Sequence, residues 1–152
     1  NNSLYKVIIM SSSQLVGLLH TGMAISLFFI ALISIWISVL TAVNPGVDQA
    51  NKRLIKRANL VGLIEGIVAI ILTLTGVVSV ILGTWAFSEL WLWLSLMIMA
   101  FYITALNFVT KPARMVVAKD GSAIKAGMQV ILQIGHFLLI LVAYSLMLLK
   151  PH

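Results

Sequence analysis

Four apolar stretches dominate this chain: Leu15 to Val43, Ala58 to Gly83, Leu90 to Val109 and Ala126 to Leu149. Each is long enough to cross the roughly 30 Å hydrocarbon core of a bilayer as a helix. Glu65 is the one formally charged residue within them. Lipid offers no water to an exposed peptide group, so a stretch of this kind satisfies its backbone internally, as a helix. The expected fold is an all-α integral membrane protein. It is a four-transmembrane-helix up-down bundle forming a single membrane domain over residues 1–152, with no soluble domain.

Composition agrees. The chain is 61% hydrophobic and 9% charged, with a mean hydropathy of +1.11, far from a soluble average. The net charge of +6 might suggest nucleic acid elsewhere. Here the bases lie in short segments between apolar runs, where topogenic signals and lipid headgroups account for them. No nucleic-acid partner is expected; the bilayer and other membrane subunits are. Cysteine is absent, which excludes disulfides, Cys-ligated iron–sulfur clusters, thiolate zinc and covalently attached c-type haem. A b-type haem needs no cysteine.

Residues 1–14 are polar around a short apolar patch, Val7 to Met10. The run that follows exceeds a signal-peptide core, so no cleaved leader is expected. Asn44-Pro45-Gly46 stops the first span, and Asp48 is placed to cap the next helix. The link over 84–89 is so short that the third helix must return antiparallel beside the second. Trp85, Trp91 and Trp93 cluster there, as in an interfacial aromatic belt. Pro112 is expected to mark the exit of the third span, and Ser122 can cap the fourth helix.

Segment 44–57 carries Lys52, Arg53, Lys56 and Arg57, and segment 110–125 carries Lys111, Arg114, Lys119 and Lys125. The remaining bases are Lys6 and Lys150. Both basic segments are therefore expected on the cytoplasmic side (matrix or stroma in an organelle), with both termini outside. The protein is expected in a bacterial or organelle inner membrane.

Polar residues inside the spans are the functional candidates. Gln129, Gln133 and His136 fall on one face of the fourth helix. Counting about 1.5 Å per residue from the basic end puts Gln129 and Asn107 roughly 5 Å deep, Glu65 and Gln133 roughly 10 Å, and His136 roughly 15 Å. All five can share the basic half of one bundle. Gln and Asn also join membrane helices as plain structural bonds, and Glu65 can snorkel toward the nearby bases. Gly62, Gly66, Ala69, Thr73 and Gly76 make one small-residue face on the second helix, a surface for close helix approach. Gly22, Gly127 and Gly135 read as packing positions as well.

Three functions are consistent with these residues. The leading expectation is a small integral subunit of a larger membrane complex, of respiratory or photosynthetic redox type, since no self-sufficient catalytic set is present. The second is a b-type haem or quinone protein with His136 and His20 as ligands. In outline the chain is similar to small four-helix b-type membrane cytochromes, with four spans, a histidine in the first and last, and a Lys-Pro exit. No motif of fixed spacing accompanies that outline, and no family is assigned. The third is a proton-coupled small transporter working through Glu65. There is no phosphate-binding glycine loop, no His-x-x-x-His, and no Ser-His-Asp set. The methionines are scattered as packing residues.

Overall fold

The computed structural model of the protein describes residues 2–83 and 86–150, without the side chains of residues 2, 3, 6, 9 and 10. Trp85, Pro151 and His152 lie outside the described residues. Among those described there is no strand. The elements are α1 (Asn2–Val43), α2 (Gln49–Leu82), α3 (Leu90–Ala105), a π-helical turn (Leu106–Thr110), α4 (Lys111–Asp120) and α5 (Ala123–Leu149). Four stretches are long and apolar enough to cross a membrane: Ser11–Val43, Gln49–Leu82, Leu90–Asp120 and Ala123–Leu149.

α1 starts at Asn2, well before Leu15, because nothing in residues 2–14 breaks a helix. At 42 residues it is about 63 Å long. It ends at Asn44-Pro45-Gly46, and the Asn51 side chain closes that corner by donating to the carbonyls of Asn44 and Gly46. Asp48 caps α2 by accepting from the Asn51 N–H at 2.9 Å, and Ser122 caps α5 by accepting from Lys125 N–H at 3.5 Å. Gly121 turns α4 into α5 with a φ of +58°, hard against the Gly46 backbone. A side chain on Gly121 would be strained and would also collide, so the two basic-end corners pack because this residue is glycine.

The third span does not stop at Pro112. It runs on to Asp120 through the π-turn, with Pro112 in the first turn of α4. Proline cannot donate to the carbonyl four residues back, and its ring crowds that carbonyl. A locally widened turn removes the conflict. It also lets Tyr102, Leu106, Thr110 and Arg114, spaced by four, stay on one buried face. Arg114, expected in a solvated basic segment, is therefore turned into the bundle.

Neighbouring helices run antiparallel: Ser34 meets Glu65 while His20 meets Leu72, and Tyr102 meets His136 while Thr110 meets Gln129. α1 packs most extensively on α2 and then on α5; α3 packs on α5, and the α2–α3 seam is the sparsest. The diagonal pairs α1–α3 and α2–α5 make no close backbone approach. Both chain ends thus lie at one end of the bundle, opposite the basic corners.

The glycines of α2 serve a different purpose from the one expected. A Cβ on Gly62 would sit 2.9 Å from an Arg114 guanidinium nitrogen, and one on Gly76 would sit 2.9 Å from the His20 ring. Each missing side chain makes room for a polar side chain of a neighbouring helix rather than for a backbone. Gly66 faces Leu106 at ordinary contact distance, and Ala69 is fully buried. Gly22, Gly127 and Gly135 have no neighbour within 4 Å, so they are not packing positions within this chain. Trp93 is exposed and donates to the Phe87 carbonyl at 2.7 Å, as a belt residue does. Trp91 is instead buried with Val80 and Leu92.

Candidate functional site

The two ends of the bundle have different interiors. Toward the termini the core is aliphatic: Leu27, Leu72, Met99 and Ile140 pack together. Toward the basic corners it is polar, and every span contributes. Ser34, Ser38 and Thr41 come from α1, Glu65 from α2, Tyr102, Thr110 and Arg114 from the third span, and Gln129, Gln133 and His136 from α5; all are buried.

Glu65 is the centre of this region, with 0% of its surface exposed. The Ser34 hydroxyl donates to Glu65 Oε2 at 2.7 Å, and the Tyr102 hydroxyl donates to Oε1 in a short hydrogen bond. Three helices are thus tied at one carboxyl group. The His136 ring lies edge-on against Tyr102, with ring centroids 4.9 Å apart. Its Nδ1 lies 2.7 Å from its own helix's Leu132 carbonyl. A carbonyl only accepts, so in the neutral ring Nδ1 carries the hydrogen and Nε2 presents a lone pair. That Nε2 is buried and has no partner. The same holds for Thr110 Oγ1, Gln129 Oε1 and both ends of the Gln133 amide. Buried polar atoms of this kind are usually met by ordered water.

Arg114 closes the region at its basic end. Its Nη1 donates to the Ala58 carbonyl at 2.9 Å and to Asn59 Oδ1 at 3.3 Å. Glu65 acts on it electrostatically without a direct ion pair between them, while Lys125 and Asp120 pair on the surface. A cavity of about 10 Å³ lies here, lined by Ile55, Ala58 and Val117 as well as by Ser38, Thr41, Arg114 and Gln129.

Of the residues proposed from sequence, Glu65, Gln129, Gln133 and His136 share this interior. Asn107 does not join them: it is exposed, and its amide donates to the Ile103 carbonyl one turn back at 2.9 Å. The π-turn re-phases the helix at that point, so Leu106 and Thr110 take the inward face. His20 also stands apart. Its Nδ1 contacts the Leu72 carbonyl at 3.0 Å and Thr75 Oγ1 at 3.2 Å, in the termini half. Along α2, Leu72 lies seven residues from Glu65, or about 10 Å, so His20 and His136 are on different levels. Around His20 lie an apolar cavity of about 50 Å³ and a more open one of about 150 Å³ beside Ser79 and Met147. Sites for ligands of drug or cofactor size measure about 300–1,000 Å³. The two histidines do not frame one haem in this packing.

Sequence reasoning passed over Tyr102 and Ser34 and counted Arg114 only as a base of the second basic segment. The spacing of four from Tyr102 to Arg114 was the available signal, masked by the assumption that Pro112 ends the helix. Compared with family models, curated proteins and solved structures, the chain matches none.

Proposed function

We propose that this chain is a multi-pass membrane protein that takes up and releases protons at Glu65, through the basic, cytoplasmic half of its bundle. The observation that carries this reading is the setting of Glu65. It is a titratable acid with no solvent contact, held between two hydroxyls from two other helices, with a histidine base against one of them. An ionisable residue at membrane depth is costly and is retained for ion or proton work. Arg114, Gln129, Ser38 and Thr41 supply a polar route from the basic corners. The Leu27, Leu72, Met99 and Ile140 layer closes the other side, so Glu65 carries protons across by alternating its access between the two sides rather than by standing in an open pore.

The test uses the purified full chain in liposomes with an entrapped pH dye and an imposed potassium diffusion potential. Wild-type vesicles should change internal pH faster than empty ones; Glu65→Gln should fall to the empty level and Glu65→Asp should keep part of the rate. Wild-type vesicles no faster than empty ones would overturn the reading.

A second reading, a subunit of a larger membrane complex, is favoured by α1. Its first turns reach beyond the bundle and expose Leu4, Tyr5, Val7 and Ile8 with nothing of this chain over them. A stoichiometric complex after mild solubilisation supports it, and a clean monomer counts against it.

A further inference from the structure

The polar surface left over by this reading is on the outside of the α2–α3 seam, at its basic end. A cleft of about 40 Å³ opens there, lined by Asn59, Gly62, Asn107, Lys111 and Arg114 over Leu63 and Leu106. Arg114 forms its inner wall and is 5% exposed. A guanidinium has five N–H donors, yet only Nη1 is bonded, to Ala58 and Asn59. Nε and Nη2 have no protein acceptor, and no carboxylate lies within ion-pair distance of Arg114 among the described residues. A buried cation with unused donors is expensive unless an anion meets it. Gly62 keeps the space clear, because a Cβ there would strike the guanidinium.

The rim indicates where that anion comes from. Leu63, Asn107 and Lys111 are all exposed, and Leu63 and Leu106 offer apolar surface within the cleft beside the cationic wall. A site for free phosphate has no use for such a rim; a lipid, with headgroup and acyl chains joined, does. Lys52, Arg53, Lys56 and Arg57 on the first turns of α2 add positive field at the same end. Basic pockets between membrane helices at headgroup level hold anionic lipids in this way.

We propose that the cleft binds the phosphate of an anionic phospholipid, with Arg114 as the planar, multiply donating partner and Lys111 as the outer cation. The bond set is charge-assisted and suits Arg better than Lys. It shares Arg114 with the polar route proposed above, but its readout is lipid retention rather than proton movement.

The test is native mass spectrometry and thermal unfolding of the full chain, purified from mixed phosphatidylglycerol and phosphatidylcholine. Phosphatidylglycerol should be retained one to one and raise the melting midpoint, whereas phosphatidylcholine should do neither. Lys111→Gln, at an exposed position that leaves the fold alone, should weaken retention about fivefold, the worth of one interfacial charge. Arg114→Lys should weaken it further. Equal retention of both lipids, or retention unchanged in Lys111→Gln, would overturn the proposal. An equal thermal shift from inorganic phosphate alone would overturn the lipid as its source.

Discussion

The basic half and the termini half of this bundle are built from the same four helices but hold together differently. In the termini half, Leu27, Leu72, Met99 and Ile140 fill space and Val80, Trp91 and Leu92 continue the packing outward, with His20 and Tyr144 adding hydrogen bonds to Leu72, Thr75 and the Ala24 carbonyl. In the basic half the helices meet through Glu65, Ser34, Tyr102, Thr110, Gln129 and Arg114. In lipid there is little hydrophobic gain from bringing helices together, so packing fit and hydrogen bonds are what join them. Aliphatic contacts give a seal but no chemistry. Polar contacts give both, at the cost that every polar atom must be met. Unmet polar atoms occur in both halves, His136 Nε2 and the Gln133 amide in one and His20 Nε2 and Ser95 Oγ in the other, so it is the buried carboxyl of Glu65 that sets the two interiors apart.

The contrast can be broken most directly at Glu65. Glu65→Ala strands the hydroxyls of Ser34 and Tyr102, and each stranded buried donor costs about 1–3 kcal/mol. A loss of about 2–4 kcal/mol is expected in SDS-induced unfolding from mixed micelles. In the termini half, Ser95 Oγ is buried without a partner, so Ser95→Ala should stay within about 0.5 kcal/mol of wild type. Equal losses at the two positions would erase the distinction between the halves.

Next in size is Gly76→Ala. The new Cβ meets the rigid His20 ring at 2.9 Å, and overpacking of this kind costs about 1–3 kcal/mol. Gly62→Ala meets an equally close atom, but at the end of a flexible arginine, and should cost less in the same assay. A smaller effect of opposite sign is expected on α5, where Gly127 and Gly135 have open space around them. Replacing either by Ala should raise stability by about 0.5–1 kcal/mol through helix propensity alone. A loss at either position would show that another chain packs there. The smallest effect belongs to the surface: Asp120→Asn removes the exposed pair with Lys125 and should move the unfolding midpoint by no more than about 0.5 kcal/mol.

Most of the fold was legible without coordinates. The stop at Asn44-Pro45-Gly46, the caps Asp48 and Ser122, and the antiparallel order follow from local chemistry that depends on few neighbours. The candidate site was only half legible. Gln129, Gln133 and His136 form a stripe by spacing alone, and Glu65 stands out as the one acid within a span. Asn107 was misplaced because its depth was counted without its side of the helix, and Arg114 because Pro112 was taken to end the span. The π-helical turn over 106–110 carries the helix past Pro112, leaves Asn107 outside and turns Arg114 into the bundle. The glycine face of α2 was visible as a pattern, but which side chains fill it was not.

What the sequence determined by itself is the number of helices long and apolar enough to cross a membrane, their direction along the bundle and the end at which the charges gather. Each of these follows from the run of apolar residues and the cost of leaving a peptide group unpaired in lipid. What only the tertiary structure decided is the partnership of the polar side chains. Glu65 meets Ser34 and Tyr102 across sequence separations of 31 and 37 residues, and Arg114 reaches Ala58 across 56. The strength of a hydrogen bond depends on distances of a fraction of an ångström, and only the packed helices set those distances.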